Sequence, residues 1–374
     1  MRLVALAAVV VGCGGGEAGP DALDPDAEVC AVSDGTAVAF DLDEPACTTL
    51  SSYKFFVGAG DTLAPNDGVE PYDLNTALFS DYALKQRFVW LPDGQSMAYH
   101  ATDSFAVPVG AVILKTFEYP DDLRAPDGSR RRLETRMMVH RAGGWDGVSY
   151  VWNDEQTDAQ IKVAGAVVPV TWTHLDGEVR TLDYVVPNKN QCKQCHEETV
   201  DAMGPIGPKA RHVNRDFAYP GGTDNQLVHL TGLGYLTGAP ADPADAPRAP
   251  VFDDESTGTV EERARAWLDI NCAHCHNPAG AARTSGLDLR AAQTNPYEFG
   301  VCKTPVAAGA GSGGRQYNIV PGDPDQSILV YRIESVDPAV RMPEIGRKLQ
   351  HTEGVALIRQ WITEMTGEPC TPPA

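Results

Sequence analysis

Two pentapeptides carry the chemistry of this chain. Cys192–Lys193–Gln194–Cys195–His196 and Cys272–Ala273–His274–Cys275–His276 both read C-x-x-C-H. Two thiols at this spacing can add to the two vinyl groups of one porphyrin, which ties it to the backbone as haem c. The adjoining histidine is then held under the iron as its proximal ligand. The pattern calls for two covalently attached haem groups, bound through Cys192, Cys195, His196 and through Cys272, Cys275, His276, with iron held by His196 and His276. Zinc is the competing reading, because Cys and His are also its ligands. Structural zinc sites pair two C-x-x-C elements about 15–20 residues apart. Here the two elements lie much further apart and each brings its own histidine, so haem is preferred.

Each iron also offers a sixth position. For the second haem the candidate is Met342, in Arg341–Met342–Pro343–Glu344; a thioether there would raise the potential, against the alternative of a gap-filling core methionine. The first haem has no such mate. Met203 follows His196 too closely to pass round the porphyrin edge, and no methionine lies between Met203 and Cys272. His140 is the first choice, because its expected strand presents it with Met138 opposite Leu133 and Val139. His212 is the second, with His229 and His174 behind it and a five-coordinate iron left open. His274 reads as a spacer. Arg332, Arg341 and Arg347 either neutralise haem propionates or form a solvated face.

The elements that must position these groups differ along the chain. Lys85–Leu91, Ala111–Tyr119, Arg131–Arg141, Val148–Asn153, Val167–Leu175 and Glu178–Val186 are rich in β-branched and aromatic residues and are separated by Pro92–Asp93–Gly94, Asp127–Gly128, Gly143–Gly144 and Asp176–Gly177, which predicts antiparallel strands in a sandwich-like domain. In Arg132–His140 the alternation of Leu133, Thr135, Met137 and Val139 with polar neighbours predicts one buried and one polar face. Further on, Thr259 and Glu262 form a capping box ahead of a helix carrying Ala264, Trp267 and Leu268. Ser327 begins a short helix, Thr223 caps another, and Thr352 caps a last one in which Val355, Ile358, Ile362 and Met365 share a face.

The ends and the composition place the chain. Leu3–Val11 is apolar but too short to span a bilayer, as in a secretory signal. Val10–Val11–Gly12–Cys13 matches a lipobox, making Cys13 the lipidation site, with an incidental cysteine behind a cleaved signal as the alternative. The nine cysteines divide into Cys13, the four of the haem motifs, and Cys30, Cys47, Cys302 and Cys370. The last four are expected as disulfides Cys30–Cys47 and Cys302–Cys370 in an oxidising compartment, with connectivity and free thiols left open. With 51 acidic against 30 basic residues the formal charge is −21, which opposes nucleic acid and anionic membrane and suits a basic redox partner protein.

The chain resembles a family of bacterial di-haem c-type cytochrome lipoproteins with a β-rich N-terminal region. The stretches that carry the resemblance are Tyr72-Asp-Leu-Asn-Thr-Ala-Leu-Phe-Ser-Asp-Tyr82, Glu134-Thr-Arg136, Tyr150-Val-Trp-Asn153, Pro205-Ile-Gly-Pro-Lys209 and Asp269-Ile-Asn-Cys-Ala-His-Cys-His-Asn277. The order helix, C-x-x-C-H, loop, Met-Pro, helix in the last third is similar to class I cytochrome c, which supports Met342 as a ligand, and in c-type cytochromes a Gly-Pro segment offers a carbonyl to the proximal histidine. The resemblance implies an α+β multidomain chain. Its expected parts are a signal peptide (1–12), a flexible lipoprotein tether (13–35), an antiparallel β-rich sandwich-like domain (36–187), a first haem-binding segment (188–250) and a class I cytochrome c-like domain (251–374), the haem domains being mainly α-helical. It further implies electron transfer at the periplasmic side of the cell envelope, anchored by lipid to the outer membrane, with a parallel β-helix lipoprotein as a possible partner. The alternatives are a peroxidase-like di-haem oxidoreductase with an open first haem, and a binding module with the haems as ancillary sensor.

Overall fold

The computed structural model describes Cys30 and residues 35–199 and 202–371. The expected signal peptide, the lipidation residue Cys13 and most of the tether lie outside the described residues. Among these residues no helix is long and apolar enough to cross a membrane.

Six consecutive strands make one antiparallel meander: β1 (Val69–Tyr72), β2 (Leu84–Trp90), β3 (Val112–Pro120), β4 (Arg130–Arg141), β5 (Gly144–Trp152) and β6 (Ala159–Ile161). Local turn chemistry sets the order. Between β4 and β5 the chain reverses through Ala142 and Gly143, with Arg141 opposite Gly144, and Gly144 has φ 119°, which only glycine adopts without steric cost. A separate hairpin, β7 (Ala166–Thr173) and β8 (Val179–Val186), forms its own two-stranded sheet, tied to the chain after β3 by a single bridge between Thr173 and Asp122.

Both faces of the meander are covered. On one, Phe88, Leu114 and Met137 sit directly opposite one another and pack on Leu50, Tyr53 and Phe55. On the other, Val89, Ile113 and Met138 pack on Ala210, Val213, Leu227 and Leu230, while Phe117 packs on Trp172 and Tyr184 of the hairpin. The predicted strands are all present. The predicted polar face of β4 is not, since Glu134 is 0 % and Met138 8 % exposed.

Seven helices are described: α1 (Lys189–His196), α2 (Ala210–Val213), α3 (Gln226–Gly232), α4 (Val260–Asn271), α5 (Pro296–Phe299), α6 (Ile328–Glu334) and α7 (Thr352–Glu364). The capping box of Thr259 and Glu262 starts α4 as expected. Asn225, not Thr223, caps α3. α7 starts at Thr352 with His351 in the cap position and no side-chain cap.

The expected fold class is corrected by this architecture. The described structure is 26 % strand and 23 % helical, so mainly α-helical haem domains are not present. Between His276 and Thr352 the chain is mostly turns, interrupted by α5 and α6. The cause lies in prolines and glycines such as Pro278, Gly286, Gly300 and Pro321, which block helix propagation. Side chains take over the hydrogen bonds that helices would make: Asn277 serves Ala273 O and Gly280 N, and Asn318 serves Lys303 O. Nor is the β-rich part a sandwich. The meander is covered by loops, short helices and one hairpin rather than by a facing sheet.

The strap between β1 and β2 joins these parts. Asn75 N donates to His212 O (2.8 Å) and Phe79 N to Asn271 Oδ1 (2.7 Å). Asp81 Oδ1 accepts from Lys348 N and Leu349 N, both 2.7 Å, and Tyr82 Oη donates to Glu353 (2.9 Å). Two disulfides close the ends, Cys30–Cys47 and Cys302–Cys370, spanning 17 and 68 residues. In the chain-entropy model the longer loop gives the larger effect. Replacing Cys302 and Cys370 with serine is expected to cost about 4 kcal/mol in urea unfolding, against about 3 kcal/mol for the Cys30–Cys47 pair.

Candidate functional site

The first motif lies in a helix of its own. Asn188 accepts from Gln191 N (2.9 Å) and Gln191 returns a bond to Asn188 N (3.0 Å), a capping box that starts α1. α1 packs on β5, so Cys192 and His196 sit on the sheet rather than in a helical domain. His196 Nδ1 donates to Gly204 O at 3.0 Å, the carbonyl at the start of the Gly-Pro segment. The second motif follows α4, with Cys272 N bonded to Leu268 O (2.9 Å). His276 Nδ1 is 2.9 Å from Ser285 Oγ. Each histidine therefore has one ring nitrogen engaged, which orients it and leaves Nε2 for a metal.

The two motifs lie side by side. Cys275 is pushed up to about 12 by burial and then by Cys195 and Glu197. His274 is lowered to about 3 by burial and then by His196, and Arg283, just beyond the second motif, pairs with Glu197 at 3.7 Å. All four motif cysteines are free of disulfides. Burial raises Cys192 and Cys195 above the ordinary thiol value and Cys272 to about 12. Burial also lowers His196 and His276 to about 4. Neutral imidazoles with a free Nε2 suit iron ligation. Among the described residues no group of three or more His, Cys, Asp or Glu side chains is placed to hold a bare metal ion.

A cleft lies over the first motif, with Cys192, His196, Ile206, His212, Met138 and Met203 in its walls. It brings two motif residues into one lining with a further histidine and two methionines, which are the anchoring and ligating side chains that a haem takes. Beside the second motif is a much smaller space bounded by Met342, Asn271, Trp267 and His351. Neither cysteine of the second motif lines it, so it brings Met342 near the motif segment without assembling the donor set in one cavity.

The other predicted residues are scattered. Met342 lines the small cavity, and His276 is not in that lining. Its loop is pinned by Arg347, 5 % exposed, whose guanidinium donates to Met342 O, Leu349 O and Ser335 O. Arg347 thus serves carbonyls rather than a propionate or solvent. The loop still borders the second motif, because Glu344 acts on Cys275 and Arg332 on His276. His140 Nδ1 donates to Val107 O (2.8 Å) and the ring stacks on Trp145, outside the cleft lining. His229 is engaged by Glu70 and Tyr219, and His174 lies by Trp172 and Tyr82. Of the histidines considered for the first iron's sixth position, His212 is the one in the cleft wall.

Three groups escaped the sequence reading. Asp269 is 4 % exposed and accepts from Arg211 Nε (2.7 Å), His212 Nε2 (2.8 Å) and Ala291 N (2.9 Å), joining both motif segments. His351 accepts from Trp267 Nε1 (2.9 Å) and stacks on Phe79. Arg87, Lys115 and Arg136 line the cleft; their signal was charge inside strands otherwise built for burial.

No family model, curated protein or solved structure matches this chain.

Burial works to raise Asp269, but the bonds from His212 and Arg211 hold it well below the usual carboxylate range. A depressed carboxylate stabilises the fold above its unfolded value near pH 3.9 and loses that contribution as pH falls through the folded value. Asp269→Ala leaves buried partners uncompensated and is expected to cost about 3–5 kcal/mol at neutral pH. In urea titrations from pH 7 to pH 3 the variant should also lose less stability on acidification than the parent.

Proposed function

We propose that the chain is a di-haem c-type cytochrome that passes single electrons between two adjacent haems and on to a partner protein. The observation that carries this reading is the closeness of the two C-x-x-C-H segments, joined by the Arg283–Glu197 pair at 3.7 Å and by the electrostatic action of Cys195 on Cys275 and of His196 on His274. Haem c would be held at Cys192, Cys195 and His196 and at Cys272, Cys275 and His276, and it supplies the one-electron chemistry. The protein's own residues set its surroundings. Gly204 O and Ser285 fix the two imidazoles, the buried thiols stay protonated until they are alkylated, and Asp269 ties the two segments at a fixed separation. The resemblance to bacterial di-haem cytochrome lipoproteins agrees with this reading and places the protein in the cell envelope, lipid-anchored through Cys13, with a basic redox protein or a parallel β-helix lipoprotein as partner.

The test is haem content followed by ligand binding on protein exported from a host with haem-attachment machinery. Pyridine haemochrome assay and intact mass are expected to give two covalent haems in the parent and one in the Cys272→Ala, Cys275→Ala double variant. Two haems in the variant, or none in the parent, refutes the assignment. Carbon monoxide added to the reduced protein should leave both spectra unchanged, with no peroxide consumed. Rapid binding at one haem with peroxide turnover would instead establish the oxidoreductase.

A further inference from the structure

Within a chain of net charge −21, the floor of the first cleft is cationic. Arg87 on β2 stands directly opposite Lys115 on β3, and Lys115 directly opposite Arg136 on β4. Partners in register share a face of the sheet, and like charges so placed are destabilising. All three line the cleft that holds Cys192 and His196. Lys85 stands two residues before Arg87 on the same strand and adds to the field.

The anions nearby do not satisfy this row. Glu134 is fully buried, and both of its oxygens are taken by Arg136 (2.6 and 3.0 Å) and by Tyr184 Oη (2.6 Å). Asp73 is divided between Arg87 Nη1 (2.7 Å) and Arg215 (3.1 Å). One buried donor is left over, and Lys115 stands beside it. Arg87 is 4 % exposed, and its Nη2 is buried without a hydrogen-bond partner. Lys115 Nζ lies 5.0 Å from the Phe117 ring, and the carboxylate acting on it is the Glu134 already committed to Arg136 and Tyr184. Burial, then Arg87, Lys85 and Arg136, holds Lys115 well below the usual ammonium value. A buried guanidinium donor left without a partner is costly. A fold that leaves Arg87 Nη2 orphaned beside Lys115 in the lining of one cleft is arranged for an anion that arrives there.

We infer that the Arg87–Lys115–Arg136 row is the carboxylate receptor of the first cleft, and that the carboxylates it takes are the two propionates of the porphyrin held at Cys192 and Cys195. This rests on the haem reading above. Propionates supply two carboxylates on one rigid frame, matching a fork donor and an ammonium in adjacent register. Arg136, held by Glu134, acts as the fixed end of the row. The β-rich part thereby contributes cations to the first haem site, where the sequence had offered it only His140 as a ligand.

The experiment uses the haem-loaded protein and the variants Arg87→Met and Lys115→Met, with Lys115→Arg as the charge-keeping control. Lys115→Met removes one member of a like-charged row; Arg87→Met also releases Asp73, which Arg215 still holds, so Lys115→Met decides the matter if Arg87→Met does not fold. Haem is counted by pyridine haemochrome, and the two midpoint potentials are resolved by spectroelectrochemistry, with resonance Raman reporting the propionate modes. The expected result is two haems throughout, a fall in one of the two potentials in both Met variants, altered propionate modes at that haem, and parental values in Lys115→Arg. Removing a cation disfavours the added electron, which fixes the sign. Two haems with both potentials and all propionate modes unmoved would overturn the inference and leave the haem reading intact, whereas no haem in the parent would overturn both. A saturable Soret change on adding succinate to the parent, abolished in Lys115→Met, would overturn the propionate assignment in favour of a free carboxylate ligand.

Discussion

The arrangement depends on one buried carboxylate. Asp269, on the helix that leads into the second motif, holds Arg211 and His212 from the segment that follows the first motif and also accepts Ala291 N from the loop beyond the second. Because it is held as a carboxylate, His212 donates to it through Nε2 and keeps a bare, unpartnered Nδ1. Three parts of the chain distant in sequence meet at this residue, and the strap from Tyr72 to Tyr82 repeats the same function with Asn75, Phe79 and Asp81. Removing such a centre costs more than any surface ion pair, because it strands charges that have no water to return to.

Around that junction, burial acts in the same sense on the titratable groups of both motifs. Cysteines are kept as thiols and imidazoles as neutral bases by the same desolvation, and each proximal ring is oriented by its other nitrogen. The one place where burial works against the fold is the cation row on the sheet, which is where a large group with two carboxylates would bring compensation.

Much of this was legible in the sequence, for reasons that are local. The strands announced themselves through β-branched runs and turn residues, the α4 capping box through Thr259 and Glu262, and the motifs through spacing that only a few chemistries use. The disulfides Cys30–Cys47 and Cys302–Cys370 fell out of counting. What failed was inference across distance. The order of elements around Cys272 resembled a helical domain, but Gly and Pro between His276 and Thr352 make turns whose hydrogen bonds are met by Asn and Asp side chains. The alternation in β4 read as one dry and one wet face, because nothing local shows that α1, α2 and α3 return to cover the second. His140 was preferred over His212 on strand geometry alone; the cleft is lined by the meander and by the segment after the first motif, and it includes His212 but not His140. The capping box of Asn188 and Gln191 was present in the sequence and would have placed Cys192 on a helix.

The central claim is that the two motifs hold two haems next to each other in one body. Circular dichroism of the haem-loaded protein across the Soret band tests it most directly, because adjacent haems couple their transitions. The account predicts a bisignate Soret couplet in the parent that collapses to a single-signed band in the Cys272→Ala, Cys275→Ala variant. A parent spectrum equal to the sum of two independent haems, or no Soret band at all, would contradict it.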